Sequence, residues 1–217
     1  MFEGFTPATI DFLWGIRFNN NREWFREHKA EYEKELYRPM LALAEDVWAK
    51  APVDGAIIKN SRIYRDVRYS NGIPYKEHLW FCVREDNVFW SEHPSLYFQI
   101  EPEGGSFGFI LYSPKARLME AHRKRMVKKP KEFLEIVTPL LEDGRFSDQS
   151  TRYKRPKEGG KPELEQWYQL KNCFFEVTIP VGDELFDKNL PDQIADAFRT
   201  LMPLYRYFRM LEGTLEG

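Results

Sequence analysis

Along the first fifty residues apolar side chains return every three or four positions, the spacing of one helix face. Ile10, Leu13, Trp14 and Phe18 mark a first helix. Thr6-Pro7 opens it, with a hydroxyl N-cap for an orphan amide and a proline whose φ suits the first turn. Asn19-Asn20-Asn21 should end it, and Asn20 with Glu23 has the spacing of a capping box that starts the next. From Arg22 to about Lys50 the stripe continues through Phe25, His28, Tyr32, Leu36, Met40, Leu43 and Val47. It passes Pro39 without losing phase, which predicts one long helix kinked at that proline. Ala51-Pro52-Val53-Asp54-Gly55 ends it.

In the middle of the chain the period becomes two. Leu96, Phe98 and Ile100 alternate with Tyr97, Gln99 and Glu101, and Phe107, Phe109 and Leu111 alternate beyond Pro102-Glu103-Gly104-Gly105. That is a β-hairpin, with the glycines read as its turn. His78 to Arg84 and Asn172 to Ile179 are further strands by β-branched and aromatic content. Helices return at Pro114 to Lys129 behind a Ser113 cap, at Lys131 to Leu141 and at Pro191 to Leu211. The order predicts an α+β class: an antiparallel sheet with helices packed mainly on one side, including the kinked N-terminal helix and the C-terminal helix. No linker divides the chain, so residues 1–217 read as one domain. Thr151 to Pro162, rich in Lys, Gly and Pro, reads as a mobile loop.

Composition is that of a globular chain, 42% hydrophobic and 30% charged. Cys82 and Cys173 lie in apolar runs and read as buried thiols. The chain starts without a basic and then apolar leader, and no apolar run approaches the ~18 residues of a membrane span, so a cytoplasmic protein is expected. Net charge is −2, but it is sorted along the chain. Lys59 to Lys76 carries +4, Lys115 to Lys131 +7 and Arg152 to Lys161 +4, leaving −17 elsewhere.

The first of these windows is the densest in chemistry. In SRIYRDVRYSNGIPYKEH, Ile63, Tyr64, Val67 and Tyr69 give β character and Ser70-Asn71-Gly72 a turn. As a strand it would put Arg62, Tyr64, Asp66 and Arg68 on one face; as a helix, Arg62, Arg65 and Arg68. A planar guanidinium binds a phosphate or carboxylate through two parallel charge-assisted hydrogen bonds. Several side by side repel unless an acid or a bound anion lies between them. The alternative is an ion-pair network around Asp66 that only ties the segment down.

RIYRDVRYSNGIPYK resembles the R-x-x-R-D-x-R-[FY]-S-…-P-Y-K signature of the family catalogued as domain of unknown function 2461. The resemblance extends to NNNREWF, to the Tyr97-to-Gly108 hairpin, to RYKRP and to LKNCFFEV, and so over nearly the whole chain. It places Arg62, Arg65, Asp66, Arg68, Pro74, Tyr75 and Lys76 at signature positions, and it implies no established activity. The loop Asn71-Gly72-Ile73 is one residue shorter than usual and lacks the Asp-Lys pair that relatives carry there.

The expected site therefore comprises Arg62, Arg65, Arg68 and Lys76, with Asp66 orienting an arginine, Tyr75 donating a hydrogen bond, and Lys154 and Arg155 joining from the loop. Its ligand would be a small molecule bearing a phosphate or carboxylate, with no metal and no cofactor. Three other readings compete. Asp66, Glu77 and Lys76 suggest a metal-dependent phosphodiesterase or nuclease. The basic helix after Pro114, with Leu118, His122 and Met126 on its inner face, suggests nucleic-acid binding. Exposed aromatics would instead mark a protein-interaction module. His28, His78, His93 and His122 lack zinc-site spacing, and no phosphate-loop, dinucleotide or nucleophile-elbow motif occurs.

Overall fold

Helix α1 (Pro7–Phe18) begins where the Thr6-Pro7 pair predicts. Thr9 fastens its first turn: its Oγ1 accepts the Thr6 amide at 3.1 Å and donates to the Glu35 carbonyl at 2.7 Å. That second bond explains how the next helix tolerates its proline. Pro39 has no N–H for the carbonyl four residues back, and that carbonyl belongs to Glu35.

The expected long helix is continuous from Lys29 to Lys50, as α3 (Lys29–Glu31), a π-helical segment (Tyr32–Tyr37) and α4 (Arg38–Lys50). α2 (Arg22–Glu27) is separate, ended by His28, which stacks on Trp24 at 4.1 Å and bonds its carbonyl at 2.8 Å. The widened winding directly before Pro39 is where the ladder adapts to the missing donor. Replacing Thr9, fully buried, by valine should leave both the Glu35 carbonyl and the Thr6 amide short of a partner. We expect a loss of about 1–3 kcal/mol in urea unfolding, with Thr9→Ser retaining most of the stability.

The computed structural model describes every residue except Val67, Tyr69, Asn87, Glu216 and Gly217. The chain is α+β. Strands β1 (Ala56–Asn60), β2 (Leu79–Glu85), β3 (Ser95–Glu101), β4 (Gly104–Leu111), β5 (Ser147–Asp148) and β6 (Cys173–Pro180) form one antiparallel sheet in the order β1-β2-β3-β4-β6-β5. Helices α5 (Ala116–Lys128), α6 (Pro130–Glu142), α7 (Glu165–Tyr168), α8 (Asp183–Phe186) and α9 (Leu190–Gly213) complete the fold. No helix among the described residues is long and apolar enough to cross a membrane.

Gly104 and Gly105 lie in β4 rather than in the turn, which is Pro102 and Glu103 alone. Gly104 has φ +148°, and a side chain there would meet the Ile179 carbonyl. Ser113 does not cap α5; Lys115 occupies the N-cap, and the Ser113 amide donates to the Ser91 carbonyl at 2.6 Å.

The residues divide into two compact units. The first comprises Met1–Val83, Tyr97–Phe107 and Thr178–Asp196; its core stacks Phe5 and Phe81 against Phe98 at 6.0 and 5.7 Å. The second comprises Arg84–Leu96, Gly108–Val177 and Ala197–Gly217. There the fully buried His122 meets Phe133, Tyr207 and Phe208, and Phe208 stacks on Phe109 at 5.9 Å. Cys82 and Cys173 are buried thiols outside any disulfide.

Candidate functional site

The connection from β1 to β2 carries the signature. Its base continues the β-pairing: the Ser61 amide donates to Trp80 O at 2.8 Å, and the Trp80 amide to Ser61 Oγ at 3.0 Å. Further out, Lys76 N–H donates to Ile63 O at 2.7 Å and Arg65 N–H to Pro74 O at 2.8 Å, around a single bridge of Tyr64 with Tyr75. Pro74 has no N–H to return, and no further pairing follows among the described residues. The tip is a turn in which Ile73 N–H reaches Ser70 O at 3.0 Å while Asn71 and Gly72 take φ of 52° and 82°. Asn and Gly are the residues that tolerate such angles. Among the described residues of the run from Arg62 none is helical and only Tyr64, in its single bridge, is paired as a strand, so the shared faces expected of it do not form; Val67 and Tyr69 lie outside the described residues.

Tyr75 is the best-anchored residue of the connection. Asn20 accepts its N–H at 3.1 Å and donates to its carbonyl at 3.0 Å, and Arg65 Nε donates to the same carbonyl at 2.7 Å. Its buried ring stacks on Phe25 at 4.2 Å, and burial raises the phenol pKa. Asn20 is thus not the N-cap it was expected to be. Asn21 caps α2 through its Oδ1, which accepts the Trp24 amide at 2.9 Å.

Besides Arg68, three cations lie along the same connection. Arg65 is half-buried, Arg62 is exposed, and Lys76 Nζ donates to Arg62 O at 2.7 Å. Desolvation, then the charges of Arg62 and Arg65, lowers the Lys76 pKa. His78 is pushed down to about 4 by burial, then by Lys76 and Arg65, against the opposing pull of Glu77. It is neutral at pH 7. Among the described residues no carboxylate lies within ion-pair distance of Arg62, Arg65 or Lys76.

The acids nearby are engaged elsewhere. Asp66 holds Arg68 in an exposed fork at 2.9 and 2.6 Å, which lowers the carboxyl pKa. Glu77 accepts from Arg17 Nε at 2.8 Å, and the same guanidinium also bonds Glu103. Among the described residues no three metal-ligating side chains gather.

Lys154 and Arg155 belong to the second unit and are exposed. Their segment, expected to be mobile, is pinned. The buried Gln169 side chain accepts the Lys157 amide at 2.7 Å and donates to its carbonyl at 2.9 Å, and Tyr168 Oη donates to Glu158 O at 2.9 Å. Within that unit two basic windows meet on Tyr153, whose ring lies 5.8 Å from Arg123 Cζ and 4.8 Å from Lys157 Nζ.

Several residues here escaped sequence reasoning. The pair of bonds from Asn20 to Tyr75 was masked by a capping explanation that fits its neighbour. Arg17 finds its acids 60 and 86 positions away, beyond any spacing rule. Tyr37 and Arg38 also went unnoticed, yet with Arg62 and Tyr64 they line a groove of about 470 Å³.

A model of the DUF2461 family, described as a conserved hypothetical protein, matches residues 8–207. No curated protein matches the chain.

Proposed function

Because the chain belongs to the DUF2461 family, whose signature falls on the β1–β2 connection, we propose that this connection binds a small ligand bearing a phosphate or carboxylate. Arg62, Arg65 and Lys76 supply the charge. The observation that carries this reading is their want of any acid among the described residues. Desolvation first, and then the neighbouring charges of Arg62 and Arg65, lowers the Lys76 pKa; a bound anion would relieve the part of that cost that comes from like charges.

Arg65 is suited to the task because its Nε is fixed on Tyr75 O, which orients the remaining guanidinium nitrogens. Asn20 holds that carbonyl from the other side. The Asp66–Arg68 pair sits further along the same loop, where Asp66 fixes the direction of the Arg68 fork. Metal-dependent phosphodiester cleavage finds less support, since Asp66 and Glu77 already serve guanidinium groups. A reducing, cytoplasmic setting fits two buried thiols outside any disulfide.

A thermal-shift titration tests the proposal with inorganic phosphate, sulfate and citrate. The wild-type melting temperature should rise with phosphate or with citrate. Arg62→Ala and Lys76→Met should each weaken binding about tenfold or more, the worth of a charge-assisted hydrogen bond. Arg62 is the cleaner variant because its side chain bonds nothing among the described residues. An anion response equal in wild type and both variants, or absent from all three, ends the proposal.

A further inference from the structure

We infer that the groove beside Arg62 holds the base of a nucleotide whose phosphate lies on Arg62, Arg65 and Lys76; this rests on the anion site proposed above and names its ligand class. The groove, about 470 Å³, has the capacity of a small-molecule pocket, ~300–1,000 Å³. One wall is the π segment and the start of α4, and the other is residues 60–64. Arg62 lines the groove, and Lys76 Nζ donates to the Arg62 carbonyl at 2.7 Å. A ligand with its anionic end on those cations can therefore lay its remainder along the groove.

Three tyrosines make the walls suitable for a flat ring. Tyr32 and Tyr37 stack on one another at 5.5 Å. Residues five apart on an α-helix are turned about 140° from each other at 3.6 residues per turn, so ordinary winding would separate them. The i to i+5 winding of the π segment brings both to the same side, and such segments recur at functional sites. Tyr64 stands on the opposite wall, 56% exposed yet braced by Tyr75 at 5.5 Å and Phe25 at 5.9 Å. An aromatic ring held firmly with much of its surface open is a stacking platform, and such stacking tolerates any base.

The polar lining agrees. Arg38 and Arg62 have no carboxylate partner among the described residues, and Glu33, the groove's single acid, lies 3.9 Å from Lys29. The lining is net cationic, as a phosphate ester requires. Asn60 also lines it, and its buried Oδ1 has no hydrogen-bond partner among the described residues. A buried acceptor left unmade is costly, and an N–H on the edge of a base would satisfy it.

Calorimetric titration with inorganic phosphate, ribose 5-phosphate and the four nucleoside 5′-monophosphates separates the parts of this inference. At least one nucleotide should bind about tenfold or more tightly than ribose 5-phosphate. Tyr64→Ala and Tyr37→Ala should remove that advantage while leaving phosphate binding as it was, whereas Arg62→Ala should weaken all of them. If phosphate binds and no nucleotide exceeds ribose 5-phosphate, or the tyrosine variants keep the advantage, the groove assignment is wrong and the anion site stands. If no probe binds, both fail together.

Discussion

Replacing Gly108 by alanine should destabilise the protein by about 3 kcal/mol or more, or prevent its accumulation, although alanine normally serves a strand better than glycine by about 0.5–1 kcal/mol. The reason lies in the approach of β6 to β4 at this point. A β-carbon on residue 108 would run into the Phe175 carbonyl oxygen and lie 2.9 Å from Glu176 Cα. These are backbone atoms of a strand that is itself paired, with Glu176 opposite Ser147 and Phe175 opposite Asp148, and the Phe175 ring is fully buried. Nothing there can rotate out of the way. Gly213→Ala, with open space around it, provides the comparison. Urea unfolding that finds the two variants within about 0.5 kcal/mol of each other, the spread of an ordinary surface change, would show that the strands do not come so close.

Stability should also fall by several kcal/mol between pH 7 and pH 4, with two histidines responsible. His122 has no exposed surface; its Nε2–H donates to Trp167 O at 3.2 Å and its Nδ1 accepts from Tyr207 Oη at 3.0 Å. That pair of bonds defines the neutral ring, and protonation would set a second N–H against the tyrosine hydroxyl. Burial pushes its pKa from 6.5 to about 4, and His78 reaches about 4 for the reasons given above. In both cases the unfolded chain binds the proton more readily. Their contribution is therefore complete above pH 6.5 and is lost as pH falls through about 4.

A gap of that size is worth about 3 kcal/mol for a fully buried ring, and less for His78, which retains some solvent contact. Glu212, raised by burial, works against the trend in part. Unfolding free energies measured at pH 7, 5.5 and 4.5 should climb with pH at a slope near two protons, with His78→Gln removing one of them. His122→Phe should flatten the curve further where it folds. A wild-type profile that is level over this range would contradict the account.

Where the sequence repeated a period for three turns or four alternations, its reading of the fold was secure, as in α1, the β3–β4 hairpin and α9. The buried trio Leu118, His122 and Met126 of α5 was legible for the same reason. β5, α7 and α8 are two to four residues long, too short to set a period against chance. The π segment was hidden because Tyr32, Leu36 and Met40 all stay buried, and a stripe of fours is compatible with either winding. The candidate site was legible as a location through residues 62–76. Its internal arrangement was not, because it depends on partners distant in the chain: Asn20 for Tyr75 and Arg17 for Glu77. A capping rule shifted by one residue assigned Asn20 to the wrong task.

The sheet ends on one side in a strand of only two residues, Ser147–Asp148. Beyond it the chain pairs irregularly, through Gln149 N–H to Phe174 O, Lys171 N–H to Thr151 O and a single bridge of Arg152 with Leu170, so the regular stretch for a strand from another molecule to copy is short, and the Asp148 carboxylate, held by Arg152 at 2.5 Å, adds charge at the margin. Shortness and charge are how soluble sheets avoid templating fibrils. On this flank the protein is guarded against self-association at high concentration.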